Sequence, residues 1–282
     1  MSAAGNPTPT KVTAPSIKAR KVRGGSPPIT ALTAYDHPTA RLVDEAGIDV
    51  LLVGDSLGPN VLGYDSTLPV TLDEMLHHGR AVRRAVRHAL VVGDLPFGCY
   101  HASVEDAVRA AVRFVKDGGA ESVKLEGGGE RAPAIRAVVD AGIPVMAHIG
   151  LRPQAMHAMG GFKVQGKAPE EAEHLLQDAD AVVAAGAFAI VLEGIPATLA
   201  AQITARVPVP TIGIGAGKEC DGQILVFSDV VGFTSVRPPK FVRRYADVNG
   251  IVRDALAKYV ADVVGGTFPN EAESYGAAKP AN

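Results

Sequence analysis

Short, almost uninterrupted apolar runs alternate along the chain with longer segments whose apolar residues recur every three or four positions. The runs fall near residues 29–34, 50–54, 90–94, 122–126, 144–148, 189–193, 211–215 and 223–227. Continuous apolar character suits strands covered on both faces, which is the signature of a parallel sheet. The passage from amphipathic helix through a glycine-containing turn to a strand recurs at residues 44–53, 117–125, 140–147 and 184–192. Glycine just past a helix end supplies the left-handed residue that closes it. Eight strands with intervening helices predict an α/β fold, a single (β/α)8 TIM barrel of parallel strands with its active site at the C-terminal face.

The helix between the third and fourth strands shows the period. Val104, Ala107, Val108, Ala111, Val112 and Val115 are expected on the buried face, with Glu105, Asp106, Arg109, Arg113 and Lys116 opposite. Ser103 with Asp106 and Thr71 with Glu74 have capping-box spacing, so these carboxylates belong to helix starts rather than to chemistry. The expected organisation is a flexible segment over 1–27 whose end caps the barrel, a catalytic barrel over 28–265 and a tail over 266–282. Two long loops, Gly58 to Thr71 and Gly150 to Pro169, follow strands two and five and so lie on the catalytic face. The second, with Gly160, Gly161 and Gly166, is expected to act as a lid.

Length of 282 residues suits one barrel plus tails, and 47% hydrophobic content is ample for one core. A net charge of −2 gives no electrostatic reason to expect nucleic acid or a membrane surface, which leaves small molecules as partners. Cys99 and Cys220 form no metal-binding spacing and exclude a disulfide scaffold. The longest apolar run, Ala181 to Leu192, contains Gly186 and is too short for a membrane helix, and residues 1–27 hold no secretory core. These features place the protein in the cytoplasm. The basic cluster Lys18, Arg20, Lys21 and Arg23 reads as a solvated or barrel-capping segment.

Chemistry concentrates where the apolar runs stop. Asp55, Asp94 and Glu126 follow or end the second, third and fourth strands, His148 ends the fifth and Glu193 the sixth. In a parallel barrel these ends converge on one mouth. Carboxylates without a His/Cys set suit a hard cation such as Mg²⁺, with water and substrate completing the shell; capping of the next helix is the structural alternative. Glu193 is placed to act as a general base, or else to pair with a lid residue. Lys124, two residues before Glu126, faces the same side and can neutralise a substrate anion, form a Schiff base, or simply pair with a carboxylate. His148 can donate to a substrate oxygen or be a satisfied core residue. His37, His77, His78, His88, His101, His157 and His174 are scattered and carry no expected role. The stretch Thr211 to Lys218 lacks the phosphate-loop spacing and reads as a glycine-rich turn that lets backbone approach a ligand or loop.

Seven stretches carry a resemblance: 32–36, 53–56, 63–71, 93–97, 123–127, 160–166 and 212–217, among which Gly63-Tyr-Asp-Ser-Thr-Leu-Pro-Val-Thr71 is highly specific. Over roughly residues 12–270 the chain resembles the ketopantoate hydroxymethyltransferase family. The resemblance implies a Mg²⁺-dependent barrel that makes ketopantoate for pantothenate and coenzyme A synthesis, and a homodecamer. It also implies metal ligands Asp55, Asp94 and Glu126, 2-oxoacid contacts Ser56, Asp94 and Lys124, and the base Glu193. Two positions depart from the pattern: Arg152, where a smaller residue is expected before Pro153, and Ser228, where His is more usual. The first bears on the loop expected to face folate.

The implied reaction removes the C3 proton of 3-methyl-2-oxobutanoate through Glu193 while the cation holds the developing enolate charge. The carbanion then takes the methylene carbon of 5,10-methylenetetrahydrofolate, with Lys124 and Ser56 orienting the oxoacid and His148 assisting. A Mg²⁺-dependent 2-oxoacid lyase of the phosphoenolpyruvate/isocitrate lyase type shares this logic, but the chain lacks a Lys-Lys-Cys-Gly-His string. A non-catalytic barrel that only binds 2-oxoacids would have no use for Glu193.

Overall fold

The structure is a computed structural model that describes residues 10–21, 25–234 and 238–276. Strands β1 (Ile29–Thr33), β2 (Val50–Val53), β3 (Leu90–Asp94), β4 (Ser122–Glu126), β5 (Val145–Gly150), β6 (Ala189–Glu193), β7 (Thr211–Ile214) and β8 (Gly222–Leu225) pair in sequence order. All neighbours are parallel, and β1 pairs with β8, so the sheet closes into a barrel. The helices are α1 (Ala14–Lys18), α2 (His37–Glu45), α3 (Leu72–Ala85), α4 (Val104–Arg113), α5 (Ala132–Asp140), α6 (Met156–Met159), α7 (Pro169–Ala184), α8 (Ala197–Arg206), α9 (Phe227–Val231) and α10 (Val248–Val264). Two compact units divide the chain, Met1–Phe227 with all eight strands and Ser228–Asn282 with α10. None of the residues of α10 is buried. Residues 1–9 and 277–282 of the expected terminal segments, and Arg23 of the basic cluster, lie outside the described residues.

Successive strand residues point to opposite faces, so each strand supplies one row to the barrel interior and one to the helices. Val50, Leu52, Leu90, Val92, Met146, Ala189, Val191, Ile212 and Ile224 form the inner cluster. The intervening Leu51, Val53, Val91, Val123, Leu125 and Ile190 join the outer layer under the helices. Val12, Ala14 and Ile17, from α1 and the residues before it, are buried in the inner cluster as well. Lys11 donates to Ala89 O and pairs with Glu121, and Lys21 pairs with Asp221 at 2.7 Å. Arg20 pairs with Asp49. Since Ala89, Glu121, Asp221 and Asp49 each directly precede a strand, this segment meets the N-terminal mouth of the barrel.

Helix starts follow the caps. Thr71 and Glu74 complete a reciprocal capping box on α3. On α4 the Ser103 hydroxyl accepts from Asp106 N at 3.1 Å, but Asp106 bonds back to that hydroxyl rather than to backbone. The buried face of α4 is rotated from the expectation: Ala107, Ala110 and Ala111 are buried and Val112 is exposed. The reason lies just beyond, where the chain widens into a π-turn over Phe114–Gly118 and Phe114 is fully buried. A Cβ on Gly93 would stand 2.5 Å from the Phe114 ring, so the ring packs directly on the β3 backbone.

Candidate active site

Residue parity delivers the polar side chains to one place. Asp94 is in phase with the inward Leu90 and Val92, Glu193 with Ala189 and Val191, and His148 with Met146. Lys124 and Glu126 complete the inward row of β4, which Ser122 begins, and the register sets Asp94 beside Lys124 and Glu126 beside His148. Asp94, Glu126 and Glu193 are the last residues of their strands, and Lys124 stands two residues before the end of β4. The exception to the expected placement is His148, which stands inside β5 because that strand runs on to Gly150. Asp55 and Ser56 lie just past β2. All of these residues line one cavity of about 120 Å³.

Lys124 is the hub. Its Nζ stands 2.9 Å from Asp94 Oδ1 and 3.5 Å from Glu126 Oε1, and it donates to His148 Nδ1 at 3.1 Å. Lys124 has no acceptor, so in the neutral ring Nδ1 accepts and the proton sits on Nε2. That nitrogen is 3.2 Å from Glu193 Oε2, a close contact without a well-aligned hydrogen bond. Asp55, Asp94, Lys124, Glu126 and His148 are each less than 5% exposed, while the Glu193 side chain keeps 17%. The Lys124 ammonium thus faces three partners, and of these six side chains Glu193 keeps the most contact with solvent.

Burial on this scale makes the charges interdependent. Burial, then repulsion from Asp94 and Glu126, pushes the Asp55 carboxyl well above the ordinary range. For Asp94, burial together with Glu126 outweighs the attraction of Lys124, and the shift is again upward. Burial would raise Glu126 too, but the Lys124 ammonium and then the neighbouring His148 hold it down to about 2. Burial disfavours the Lys124 cation, yet Asp94, Glu126 and Asp55 more than offset this and its pKa is raised. For His148, burial and Lys124 oppose the imidazolium while Glu126 and Glu193 favour it and prevail.

Some contributors left no mark in the sequence pattern. Gln154 is 4% exposed; its Nε2 donates to Asp55 Oδ2 at 2.8 Å and Leu95 O at 3.0 Å, and its backbone N–H to Glu126 Oε2 at 3.1 Å. Tyr100 donates its hydroxyl to Gln154 Oε1 at 2.6 Å and accepts from Glu126 N at 3.1 Å. The pair therefore ties Asp55 to Glu126. Thr67 is 7% exposed and lines the same cavity, and among the described residues its Oγ1 has no hydrogen-bond partner. Ser56 Oγ is 2.9 Å from Tyr35 Oη. A buried polar side chain in a loop has no periodicity to betray it. The stretch Thr211 to Lys218 is β7 followed by a turn with Gly215 and Gly217 at positive φ, and Lys218 is exposed.

Asp55, Asp94 and Glu126 offer oxygen donors, and their repulsion is what a cation would relieve. Among the described residues, no three His, Cys, Asp or Glu side chains are already gathered in metal-holding geometry. Oxygen donors presented from separate strands suit Mg²⁺, which keeps water and substrate oxygens in part of its shell and needs no closed protein cage. The donor set fits such an ion.

The sequence model of the ketopantoate hydroxymethyltransferase family matches residues 11–271. The chain belongs to that family. The 3-methyl-2-oxobutanoate hydroxymethyltransferase of Koribacter versatilis (strain Ellin345) is 55% identical over 271 residues, which covers 96% of this chain and 91% of its own length. That of Geobacter sulfurreducens (strain ATCC 51573 / DSM 12127 / PCA) is 56% identical over 256 residues, 91% of this chain and 96% of its own. Membership in the ketopantoate hydroxymethyltransferase family makes the chain an enzyme, a hydroxymethyltransferase. Among solved structures, a 2,3-dimethylmalate lyase of the PEP mutase/isocitrate lyase superfamily aligns with a TM-score of 0.60 at 18% identity, over 96% of this chain and 93% of that one. Phosphonopyruvate hydrolase in complex with oxalate and Mg²⁺ aligns with a TM-score of 0.59 at 15% identity, over 93% of each chain. At such identities the likeness concerns the barrel alone.

Proposed function

We propose that this site transfers a hydroxymethyl group from 5,10-methylenetetrahydrofolate to 3-methyl-2-oxobutanoate, giving ketopantoate, with Mg²⁺ held by Asp55, Asp94 and Glu126. The observation that carries the reading is the run Lys124–His148–Glu193 set against three carboxylates in a cavity of about 120 Å³, a size for a small oxoacid. When bound, the cation supplies a Lewis acid for charge developing on the keto oxygen. Lys124 neutralises the oxoacid carboxylate, while Ser56 and Thr67 offer hydroxyls that orient it. Glu193 takes the C3 proton onto its carboxylate, and His148, with its Nε2 beside that carboxylate, holds it in place and receives charge. The freed C3 electron pair bonds to the methylene carbon as its bond to one folate nitrogen breaks, and a water oxygen then bonds to that carbon as its bond to the other nitrogen breaks. The proton taken from C3 and one from the water go to the two nitrogens, so tetrahydrofolate leaves.

The lid belongs to this reading. Gly160, Gly161 and Gly166 all have positive φ, Phe162 is 63% exposed, and Gln165 N–H donates to Gly194 O at 2.9 Å, next to Glu193. Such a loop can open for a bulky donor and then exclude water. A homo-oligomer, a decamer by resemblance, fits the exposed Leu256, Tyr259, Val260 and Val263 of α10. The cytoplasm suits the two free cysteines. No helix of the described residues is long and apolar enough to cross a membrane.

The test is proton exchange. Protein, Mg²⁺ and 3-methyl-2-oxobutanoate in D₂O should lose the C3 proton signal by NMR, and EDTA should stop the loss. Retention of the signal with Mg²⁺ present would contradict the enzyme reading and favour a barrel that only binds oxoacids.

A further inference from the structure

Tyr35 lies in the short segment between Thr33, the last residue of β1, and Asp36, whose carboxylate caps α2 by accepting from Thr39 N at 2.8 Å. The Ala34 N–H donates to Leu52 O at 3.1 Å, which carries the pairing with β2 one residue past the end of β1. From the other side, His78 of α3 donates from Nδ1 to Tyr35 O at 2.6 Å. A backbone oxygen only accepts, so the ring nitrogen facing it carries the hydrogen. These contacts fix the backbone around Tyr35, and its side chain, 5% exposed, belongs to the core under the helices. His78, one of the scattered histidines, thereby gains a role that only the packing of α3 against this segment reveals.

The Tyr35 hydroxyl ends 2.9 Å from Ser56 Oγ. Ser56 is held as closely as the tyrosine. Its carbonyl accepts from Asn60 N at 3.1 Å and from Asn60 Nδ2 at 2.8 Å, and a Cβ on Gly54 would stand 2.9 Å from its Oγ. Ser56 lines the oxoacid cavity together with Asp55, Asp94 and Lys124, and Tyr35 is not among the lining residues. The serine hydroxyl therefore stands between the cavity and a buried phenol.

We infer that Tyr35 is a positioning residue: its phenol donates to Ser56 Oγ and so directs the single serine proton to the carboxylate of the bound oxoacid. The inference rests on the 2-oxoacid reading above. Either oxygen of such a pair can donate, and two arguments select the direction. A phenol is the better donor and the poorer acceptor of the two hydroxyls. The reverse direction would turn the serine proton away from the cavity and meet the oxoacid anion with lone pairs alone, next to Asp55 and Asp94, which already repel it. With Tyr35 donating, Ser56 offers a charge-assisted hydrogen bond instead. The phenol also holds the serine rotor before the substrate arrives, so binding does not have to order it.

The test is a double-mutant cycle read by C3 proton exchange. Initial rates for the full chain with Mg²⁺ and 3-methyl-2-oxobutanoate in D₂O, followed by NMR over a range of oxoacid concentrations, separate KM from kcat. Tyr35→Phe keeps the ring and should raise KM about tenfold, the scale of a hydrogen bond to a charged group, with kcat changed by less than about threefold. Ser56→Ala should raise KM at least as much. In the Ser56→Ala background Tyr35→Phe should add little, because the phenol acts only through that hydroxyl; a merely structural role would give the same factor in both backgrounds. An unchanged KM in either single variant, a loss confined to kcat in Tyr35→Phe, or two factors that multiply in the double variant would overturn the positioning role. Absence of exchange in the wild type would instead overturn the oxoacid reading, so the two failures are distinct.

Discussion

The two mouths of this barrel use the same residue types to opposite ends. At the N-terminal mouth each carboxylate has its own partners. Asp49 accepts from Thr30 N at 2.9 Å and pairs with Arg20; Glu121 accepts from Val91 N at 3.1 Å and pairs with Lys11 at 2.6 Å; Asp221 accepts from Thr211 N at 2.9 Å and pairs with Lys21 at 2.7 Å. Asp44 gathers the N–H groups of Arg87, His88 and Ala89. At the C-terminal mouth Asp55, Asp94 and Glu126 share one ammonium. The outcome shows in their proton affinities. Burial of Asp49 is outweighed by Arg20 and Thr30, so its carboxyl is lowered, whereas Asp55 and Asp94 are raised. One end is arranged for stability, and the other holds repulsion that a bound cation would relieve.

The largest effect that would break this contrast comes from the N-terminal mouth. Asp221→Ala strips Lys21 and the Thr211 N–H of a partner that is 1% exposed. Breaking a buried pair costs about 3–5 kcal/mol, which for a domain of this size lowers Tm by roughly 6–20 °C. Calorimetry should show that drop, while activity per folded molecule stays unchanged. A drop in turnover without a drop in Tm would put Asp221 in the wrong category.

A smaller effect is expected at the other mouth. Tyr100→Phe keeps the ring but removes the hydroxyl that joins Glu126 N to Gln154. Groups that orient metal ligands typically contribute about 10–100-fold in affinity, so Mg²⁺ titration should weaken by that factor with little change in Tm. Unaltered Mg²⁺ affinity would show that the Tyr100–Gln154 bridge does not position the carboxylates.

The smallest effect is a pH dependence. Because the folded Asp49 carboxyl lies below its ordinary 3.8, its contribution is complete above that value. It is lost as pH falls from 3.8 through the lower folded value. Asp49→Asn should therefore flatten the acid side of the stability curve relative to wild type. Parallel curves through that window would remove Asp49 from the stabilising set.

The barrel and most of its site were legible in the sequence because both depend on short-range pattern. Continuous apolar runs mark buried parallel strands, and a charged residue where such a run stops must emerge at the mouth; Asp94, Glu126 and Glu193 do so. Exact strand ends were less visible, since pairing register is a property of the closed sheet. Thus β5 extends past His148 and β8 stops at Leu225 rather than running to 227. Gln154, Tyr100 and Thr67 lay hidden because each is a loop residue whose burial depends on loops from three or more strands meeting over the barrel. Val112 obeyed the helical period yet faces out, because the π-turn after α4 shifts the packed stripe toward Ala110 and Phe114.

The most direct test of the account is C3 proton exchange by Glu193→Gln. The substitution keeps the size of the side chain and its contact with His148 but leaves no group to accept the proton. Exchange of 3-methyl-2-oxobutanoate in D₂O with Mg²⁺ should fall by about 10²-fold or more, the usual scale of general-base loss, while oxoacid binding persists. Exchange at the wild-type rate would contradict the assignment of Glu193 as the base and move that role to His148 or to a water at the cation.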